Sequence, residues 1–331
     1  MSKPRIAMLM GKSTRNRVFA EQHIQQLQEI GELVMEDHEQ LDAEIGKKII
    51  QDADIVITSW GAPRLTEELL EQAPNLKLAA HAAGSVKTIV SPELWECGVR
   101  VSSANMALAI GVAETALGMT IASLKNMWRL VDSARNGEWH EERNRVRELY
   151  NVTIGVIGAG KAGAHYIKLL QNFNVDVILY DPILTEEQAQ AMGAKKVELE
   201  ELCKQADVIS IHAPSIPATY HMINEERLAM MKDDAIIINT ARGSIIDEDA
   251  LVNELRKGRL FACLDVTDPE PPAKDHPFRD LPNCVLTCHI AGAVTNGLQR
   301  IAAYVIEEIK RFQEGRPLDG EVKESALNII A

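Results

Sequence analysis

The sequence has no excess of positive charge. Across 331 residues, 35 lysines and arginines stand against 48 aspartates and glutamates, which gives a formal net charge of -13. Nucleic acids and anionic membranes are bound through basic faces, so this balance argues against both as partners. A small anionic substrate remains compatible with it, because a few local arginines outweigh the distant surface field. The hydrophobic content of 46% is typical of a soluble globular protein, and the length suits about two domains.

Cysteine is scarce and scattered. The five cysteines are Cys97, Cys203, Cys263, Cys284 and Cys288. An odd, dispersed set is not a disulfide framework and favours a reducing compartment, so we expect a cytoplasmic protein. Cys284, Cys288 and His289 approach metal-ligand spacing, but no fourth ligand is near them in sequence. We therefore predict no metal site.

Two further segments partly resemble a signal peptide, a P-loop or a membrane span, but each lacks a required feature. The N-terminal stretch "MSKPRIAMLMGKST" has an apolar core too short for a signal peptide, and its "GKS" lacks the P-loop glycine because Ile6 stands there. Residues 104–124 carry a single charge, Glu114, and are just long enough to span a bilayer. Their richness in Ala, Gly and Thr and the charge in mid-segment favour a helix buried at a domain or subunit boundary.

Short apolar runs alternate with helical patterns along most of the chain. The predicted strands are 5–10, 32–36, 54–60, 76–82 and 99–103, and then 152–158, 175–181, 206–213, 235–241, 260–266 and 284–290. Such alternation predicts parallel strands joined by crossover helices, in two α/β domains with a cleft between them. A long helix from about 105 to 135, ended by Gly137, separates the two series. A last helix, near 294–314, is expected to return to the first domain.

A glycine-rich turn opens the second series. Gly158, Gly160 and Gly163 form G-x-G-x-x-G between a predicted strand and a predicted helix. The first glycine permits the tight turn, the second lets the backbone approach a pyrophosphate, and the third lets helix and strand pack closely. Lys161 adds a positive charge beside the phosphates. The alternative for the triplet alone is a tight turn without a ligand.

Asp181 favours the cofactor interpretation. It ends the next predicted strand, about twenty residues on, where an acid accepts hydrogen bonds from the adenosine ribose. The same carboxylate repels the 2′-phosphate of NADP, and Pro182, Ile183 and Leu184 bring no arginine to neutralise it. An Asp-Pro turn is the alternative. Strand, turn, helix, strand and acid in this order predict NAD as the cofactor.

Three charged residues follow later strands: Arg242 in "NTARG", Glu270 in "LDVTDPEPP" and His289 in "TCHIAG". A histidine suits transfer of a hydroxyl proton near neutral pH, and a glutamate on its other ring nitrogen orients it and favours its protonated form. The planar fork of an arginine pairs with a carboxylate, which indicates an acid substrate. Taken singly, each residue has an alternative: a surface ion pair, a loop acid and a core histidine.

These motifs resemble the D-isomer-specific 2-hydroxyacid dehydrogenase family, which is related to D-3-phosphoglycerate dehydrogenase, glycerate/glyoxylate reductase and formate dehydrogenase. The resemblance runs from about Leu76 to Arg311 and includes "GVIGAGKAG", "ADVISIHAPSIPATYHMIN", "MKDDAIIINTARGSIIDEDALVNELRKGRL" and "LPNCVLTCHIAGA". It implies an NAD-dependent enzyme that interconverts a D-2-hydroxy acid and its 2-oxo acid by hydride transfer. His289 and Glu270 would relay the proton, and Arg242 would anchor the carboxylate.

The resemblance also implies an architecture and further contacts. It implies two doubly wound, Rossmann-like or flavodoxin-like domains: a discontinuous substrate-binding domain, 1–104 with 296–331, and an NAD-binding domain, 105–295, whose long helix near 105–135 helps form a homodimer. Gly84, Ser85 and Val86 are the candidate substrate-loop residues, together with Arg242. The candidate cofactor contacts are Gly158, Gly160, Lys161, Ala162, Gly163, Asp181, Pro214, Thr219, Thr240, Ala241, Asp265, His289 and Gly292, with Asp265 and Thr240 on the nicotinamide side and Pro214 near the adenosine.

Three positions depart from the family pattern. Lys87-Thr88 replaces an Asp-Asn pair after the glycine of the substrate loop, Leu108 replaces an asparagine, and Cys288 replaces a proline before the histidine. The first two leave the identity of the 2-hydroxy acid open, and we interpret Cys288 as a backbone substitution, since hydride transfer needs no thiol. Two alternatives remain: an NAD(H)-sensing, corepressor-like protein, and an enzyme resembling formate dehydrogenase.

Overall fold

A computed structural model describes residues 3–139 and 142–327. The strands of this part of the chain are β1 (Arg5–Leu9), β2 (Glu32–Val34), β3 (Ile55–Thr58), β4 (Leu78–His81), β5 (Arg100–Ser103), β6 (Tyr150–Ile157), β7 (Asn174–Tyr180), β8 (Lys195–Lys196), β9 (Val208–Ile211), β10 (Ile236–Asn239), β11 (Phe261–Leu264), β12 (Cys284–Leu286) and β13 (Glu321–Val322). The helices are α1 (Lys12–Val18), α2 (Glu21–Ile30), α3 (Ala43–Ile50), α4 (Glu67–Leu70), α5 (Pro92–Glu96), α6 (Asn105–Leu124), α7 (Met127–Arg135), α8 (Lys161–Leu170), α9 (Glu186–Ala191), α10 (Leu199–Gln205), α11 (Glu225–Met230), α12 (Glu248–Arg256) and α13 (Gly297–Gln313). The predicted α/β class is confirmed.

The described chain divides into two compact units, with the divisions falling between Leu108 and Ala109 and between Gly292 and Ala293. The first unit therefore combines the N-terminal segment with the C-terminal one. The sequence predicts domain boundaries at 104/105 and 295/296. Which unit binds which ligand stays a prediction.

The first unit is built on a six-stranded sheet in the order β13-β5-β4-β3-β1-β2. Its strands are parallel except β13, which pairs antiparallel with β5 and is too short for a sequence pattern to reveal. Along β1, Ile6 and Met8 enter one hydrophobic cluster, and Ala7 and Leu9 enter another. Apolar residues on both faces are what a sheet covered by helices on both sides requires. Helix α13 packs in the first of these clusters, as the sequence predicts.

The second unit is built on a seven-stranded parallel sheet in the order β12-β11-β10-β9-β6-β7-β8. Strand β6 lies in the interior of the sheet: Gly155 is paired with Ile178 of β7 on one side and with Ile209 of β9 on the other. The chain moves outward from β6 in one direction to β8 and in the other direction from β9 to β12. The order reverses beside β6, and ligands of open parallel sheets bind at such a point, outside the carboxyl ends of the strands.

The single long helix predicted from 105 to 135 is wrong. It is two helices, α6 and α7, because Asn126 between them adopts a left-handed backbone with φ of 53°. Asparagine tolerates that conformation better than most residues, and its side-chain amide here donates to the Glu142 carbonyl at 3.1 Å. The predicted end at Gly137 is confirmed, since α7 finishes at Arg135 and Gly137 has a φ of 84°.

Helix α6 is long and apolar enough to cross a membrane by length and composition alone. In its most apolar window, 44% is buried within the chain. A core helix passes the same test, so the helix carries little weight as a membrane span.

Candidate active site and cofactor turn

The glycine-rich turn joins β6 to α8, as predicted. Gly158 follows the strand with a φ of 86°, a conformation that side-chain-bearing residues rarely adopt. A Cβ on Gly163 would lie 2.1 Å from the carbonyl oxygen of Gly158, so only glycine lets the helix pack this closely. A Cβ on Gly160 would meet nothing within 4 Å. The second glycine of the motif therefore faces open space, where the cofactor interpretation places the pyrophosphate.

The start of α8 is suited to an anion. Gly160 is the N-cap and offers no side-chain hydrogen bond to the first turn, so the amides of that turn are available to a ligand. Lys161 is exposed at the first position of the helix, and Ala162 follows it half-buried. The residues present therefore fit a dinucleotide pyrophosphate.

Asp181 directly follows β7 and is only 8% exposed. One carboxylate oxygen accepts the Ala159 N–H at 2.9 Å, and the other accepts the Ile183 N–H at 2.9 Å. The side chain thus makes the Asp-Pro turn and also fixes the glycine-rich turn. The two interpretations of this residue are compatible, because an oxygen that accepts one hydrogen bond has capacity for another.

The other predicted cofactor residues follow β9 and β10 at the same edge of the sheet. The Thr219 hydroxyl donates to the Pro214 carbonyl at 2.6 Å and accepts the Ile216 N–H, which shapes the loop after β9. After β10, Ala241 N–H donates to the Asn239 side chain at 3.0 Å. The buried Thr240 Oγ1 has no hydrogen-bond partner within the described residues. An orphaned buried hydroxyl at this edge is consistent with a contact to a bound cofactor.

His289 and Glu270 are brought together although 18 residues separate them in the sequence. His289 Nδ1 lies 2.6 Å from Glu270 Oε1, within hydrogen-bonding distance. Both line a cavity of about 680 Å³ that also holds Arg242, and all three belong to the second unit. The predicted catalytic set therefore shares one cavity. Arg242 is exposed there, and one of its N–H groups donates to the Ala241 carbonyl at 2.7 Å.

Asp265 holds the loop that carries His289. It follows β11, is 1% exposed, and accepts hydrogen bonds from the Thr287 hydroxyl at 2.5 Å, Ile290 N–H at 2.9 Å and Ala291 N–H at 2.7 Å. Strand β12 stops at Leu286, earlier than predicted, since the chain turns here and His289 adopts a φ of 54°. The predicted contact of Asp265 with the nicotinamide stays a prediction. The structure adds that Asp265 supports the loop of His289.

The loop also approaches α6 within the second unit. The Thr115 hydroxyl donates to the Ala291 carbonyl at 3.2 Å, and a Cβ on Gly111 would lie 3.4 Å from the carbonyls of Ala291 and Gly292. Cys288 is exposed. In the described residues, no three His, Cys, Asp or Glu side chains are grouped so that they hold a metal ion.

The predicted substrate loop belongs to the first unit. His81, at the end of β4, is 3% exposed, bonds the Thr58 hydroxyl through Nδ1 at 2.8 Å and bonds the backbone of Ser85. Burial lowers the pKa of His81 to about 4 despite the Ser85 bond, so the ring is neutral and serves as a support. Val86 is completely buried in the core, backbone included, so this candidate exposes no surface to a ligand. A Cβ on Gly84 would lie 3.2 Å from Leu108, so this leucine packs under the loop.

The sequence patterns did not predict several residues that have clear structural roles at the site. Gly243 is the closest-packed: a Cβ there would lie 2.1 Å from the Thr267 carbonyl carbon, so the turn that carries Arg242 rests directly on the loop that leads to Glu270. Tyr220 lines the cavity and stacks on His221 with ring centroids 4.0 Å apart. No local pattern marks these residues, since their contacts depend on segments distant in sequence.

Known proteins are similar to this chain in sequence and in fold. A family model described as "D-isomer specific 2-hydroxyacid dehydrogenase, NAD binding domain" matches residues 117–291. A D-3-phosphoglycerate dehydrogenase of Methanocaldococcus jannaschii is 38% identical over 283 residues, which is 85% of this chain and 52% of that protein. A hydroxypyruvate reductase of Thermotoga maritima is 34% identical over 82% of this chain and 88% of its own length.

The chain thus spans about half the length of the phosphoglycerate dehydrogenases that it matches and most of the reductase. Among solved structures, an acyclic imino acid reductase in complex with NADPH and D-Arg superposes with a TM-score of 0.76. It is 26% identical, and the match covers 96% of this chain and 100% of that one. Relatives of this fold therefore include one that binds the phosphorylated cofactor.

Proposed function

We propose, since this chain belongs to the D-isomer specific 2-hydroxyacid dehydrogenase family, that it interconverts a D-2-hydroxy acid and its 2-oxo acid with NAD(H). The observation that carries the proposal is the 2.6 Å contact between His289 Nδ1 and Glu270, in one cavity with Arg242. The bound nicotinamide would supply the hydride acceptor or donor. The protein must then handle a proton and a carboxylate.

His289 manages the proton. With Nδ1 hydrogen-bonded to Glu270, Nε2 is the ring nitrogen left to face a substrate. In oxidation, Nε2 takes the hydroxyl proton while the C2 hydride leaves; in reduction, the protonated ring returns it. Glu270 fixes the ring and stabilises its cationic form. Arg242 pairs with the substrate carboxylate and polarises the C2 oxygen. Oxidation of formate would release no hydroxyl proton, so the His289–Glu270 pair favours a 2-hydroxy acid.

We infer NAD rather than NADP as the cofactor. The Asp181 carboxylate sits against the glycine-rich turn, where it would repel a 2′-phosphate, and Ile183 and Leu184 beside it carry no charge. Because the similar imino acid reductase was solved with NADPH, the preference for NAD over NADP has to be measured for this chain.

The test is consumption of NADH against a panel of 2-oxo acids, from glyoxylate, pyruvate and hydroxypyruvate to bulkier and branched acids, with NADPH in parallel. We expect turnover of one class of acid with NADH and a much smaller kcat/KM with NADPH. Tight NADH binding, measured by fluorescence, without turnover of any acid would reject the enzymatic proposal in favour of an NAD(H)-sensing protein. Equal use of NADPH would reject the role given to Asp181.

We further propose that the chain is a homodimer and works in the cytoplasm. Three apolar side chains of α7 are exposed, Met127 by 47%, Trp128 by 37% and Val131 by 46%, and Trp139 beyond the helix is 74% exposed. An exposed apolar patch of this kind on one helix is typical of a subunit interface. We propose that a second copy of the chain covers it. Sedimentation equilibrium should give twice the chain mass for the native protein and the monomer mass for Val131→Asp. A monomeric native protein would contradict the assignment.

A further inference from the structure

A second acid–imidazole pair lies behind the catalytic one. Glu248, the first residue of α12, accepts the Asp268 N–H through Oε1 at 2.9 Å, and its Oε2 lies 3.4 Å from His276 Nε2. The two side chains are only 14% and 19% exposed. Asp268 is two residues before Glu270. Glu248 therefore binds the backbone of the loop that carries Glu270, the partner of His289, and His276 in turn contacts Glu248.

His276 is itself anchored to the core. Its Nδ1 accepts the Phe278 N–H at 3.3 Å, and its ring packs on Phe278 with centroids 4.6 Å apart. Phe278 is 1% exposed and belongs to the main hydrophobic cluster of the second unit, together with Leu251 of α12. Because Nδ1 accepts, the neutral ring carries its proton on Nε2 and donates toward Glu248. The ring thus connects Glu248 to a rigid part of the unit.

The loop needs such a support. It reads Thr267-Asp268-Pro269-Glu270-Pro271, and the two prolines have no N–H to donate. The Asp268 amide is thus one of the few backbone donors in the segment, and Glu248 accepts from it. A second tie is the Thr267 hydroxyl, which donates to the Pro269 carbonyl at 3.0 Å.

Helix capping alone does not explain Glu248. An acid in the first turn of a helix is favoured by the helix dipole, and Asp249 next to it, exposed to solvent, meets that need. Glu248 instead is turned inward. Burial, reinforced by the carboxylates of Asp268 and Asp249 and opposed by the Asp268 N–H bond, raises the pKa of Glu248 to about 7. A carboxyl group held where its charge is disfavoured indicates a specific contact rather than solvation.

We propose that Glu248 and His276 are positioning residues that fix the Thr267–Pro271 loop, so that Glu270 meets His289 Nδ1. The kinetic part of this inference rests on the proposed function, whereas its spectroscopic part does not. Neither residue touches the reacting atoms. They act through Glu270, which in turn sets which ring nitrogen of His289 carries the proton.

The kinetic test compares Glu248→Ala with Asp249→Ala, which also removes a carboxyl group from the first turn of α12. We expect Glu248→Ala to lower kcat by roughly tenfold, the cost of about 1.4 kcal/mol in the barrier, with KM for NADH unchanged. Asp249→Ala should keep the native kcat. Glu248→Gln retains an oxygen for the Asp268 N–H and should recover most of the loss. His276→Asn keeps an acceptor for Phe278 N–H but loses the contact with Glu248, so it should resemble Glu248→Ala.

The spectroscopic test uses the chain labelled with nitrogen-15 histidine, with the His289 signals assigned by their absence from His289→Ala. In the native protein above the titration range, we expect the neutral ring to carry its proton on Nδ1, where Glu270 accepts it. In Glu248→Ala, measured well below its Tm, we expect a mixture with the Nε2-protonated form, and in Asp249→Ala the native pattern. A native His289 pattern in folded Glu248→Ala would overturn the inference. The expected nitrogen-15 shifts without turnover in any sample would refute the proposed function alone.

Discussion

Replacing His289 with alanine is expected to abolish nearly all turnover while leaving NADH binding intact. Loss of a positioned general acid or base costs ~10²–10⁴ in rate, so kcat should fall by that factor for the best 2-oxo acid of the panel. The side chain is 45% exposed and lines the cavity, so its removal costs little packing. Stopped-flow turnover and a fluorescence titration with NADH measure the two quantities separately.

Substitution of Glu270 tests whether the loss of turnover in His289→Ala comes from the paired side chains. Glu270 acts through the imidazole, so Glu270→Gln should lower kcat less than His289→Ala does. The double variant should be no slower than His289→Ala, because residues that act as one unit are not additive. Added imidazole should restore part of the activity of His289→Ala, since the truncation leaves room in the cavity, and should do nothing for Arg242→Ala.

A matched control is available in the first unit. His38 also lies near a glutamate, with its Nε2 3.8 Å from Glu36, and both are on the surface. His38→Ala should leave kcat unchanged, because neither His38 nor Glu36 lines the cavity that holds His289, Glu270 and Arg242. If His289→Ala kept turnover within tenfold of the native enzyme, another residue would have to be the acid–base group.

The parts of this molecule that the sequence predicts well are those encoded by local patterns. The alternation of apolar runs predicts the strands of both sheets except the two-residue β8 and β13, because a buried parallel strand needs apolar residues on both faces. The turn at Gly158 follows from local sterics, and Asp181 follows from its place at the end of the next strand. The pairing of His289 with Glu270 goes beyond any local pattern and came from the resemblance to a family.

The parts that sequence patterns miss depend on contacts between distant segments. Asn126 breaks the long helix in a run that is otherwise helical, and only its contact with Glu142 distinguishes it. Glu248 reads as a helix-capping acid until Asp268 and His276 are placed beside it. For Asp265 the family resemblance implies a cofactor contact, and only the fold reveals that its oxygens also accept from the His289 loop. Polar residues share few local signatures, so their roles emerge only from the fold.

The same added methyl group should change the free energy of unfolding at one glycine of the cofactor turn and not at another. Gly163→Ala is expected to destabilise the protein by about 1–3 kcal/mol, because the new Cβ would overlap the Gly158 carbonyl and α8 would have to move away from β6. Gly160→Ala should leave the free energy of unfolding nearly unchanged, since its Cβ would enter open space. Urea unfolding monitored by circular dichroism measures the difference.

Binding of NADH should separate the two variants again. In Gly160→Ala the Cβ would occupy the space through which the backbone approaches the pyrophosphate, so we expect Kd to rise by roughly tenfold or more, equivalent to at least about 1.4 kcal/mol, in a protein that is otherwise stable. Gly258→Ala, at a distant turn with nothing within 4 Å but a φ of 71°, is the control for a glycine whose replacement costs backbone strain without touching the cofactor. It should lose stability and keep the native Kd. Native NADH affinity in Gly160→Ala would mean that this turn does not cradle the pyrophosphate, and the glycines would then serve the packing of α8 on β6 alone.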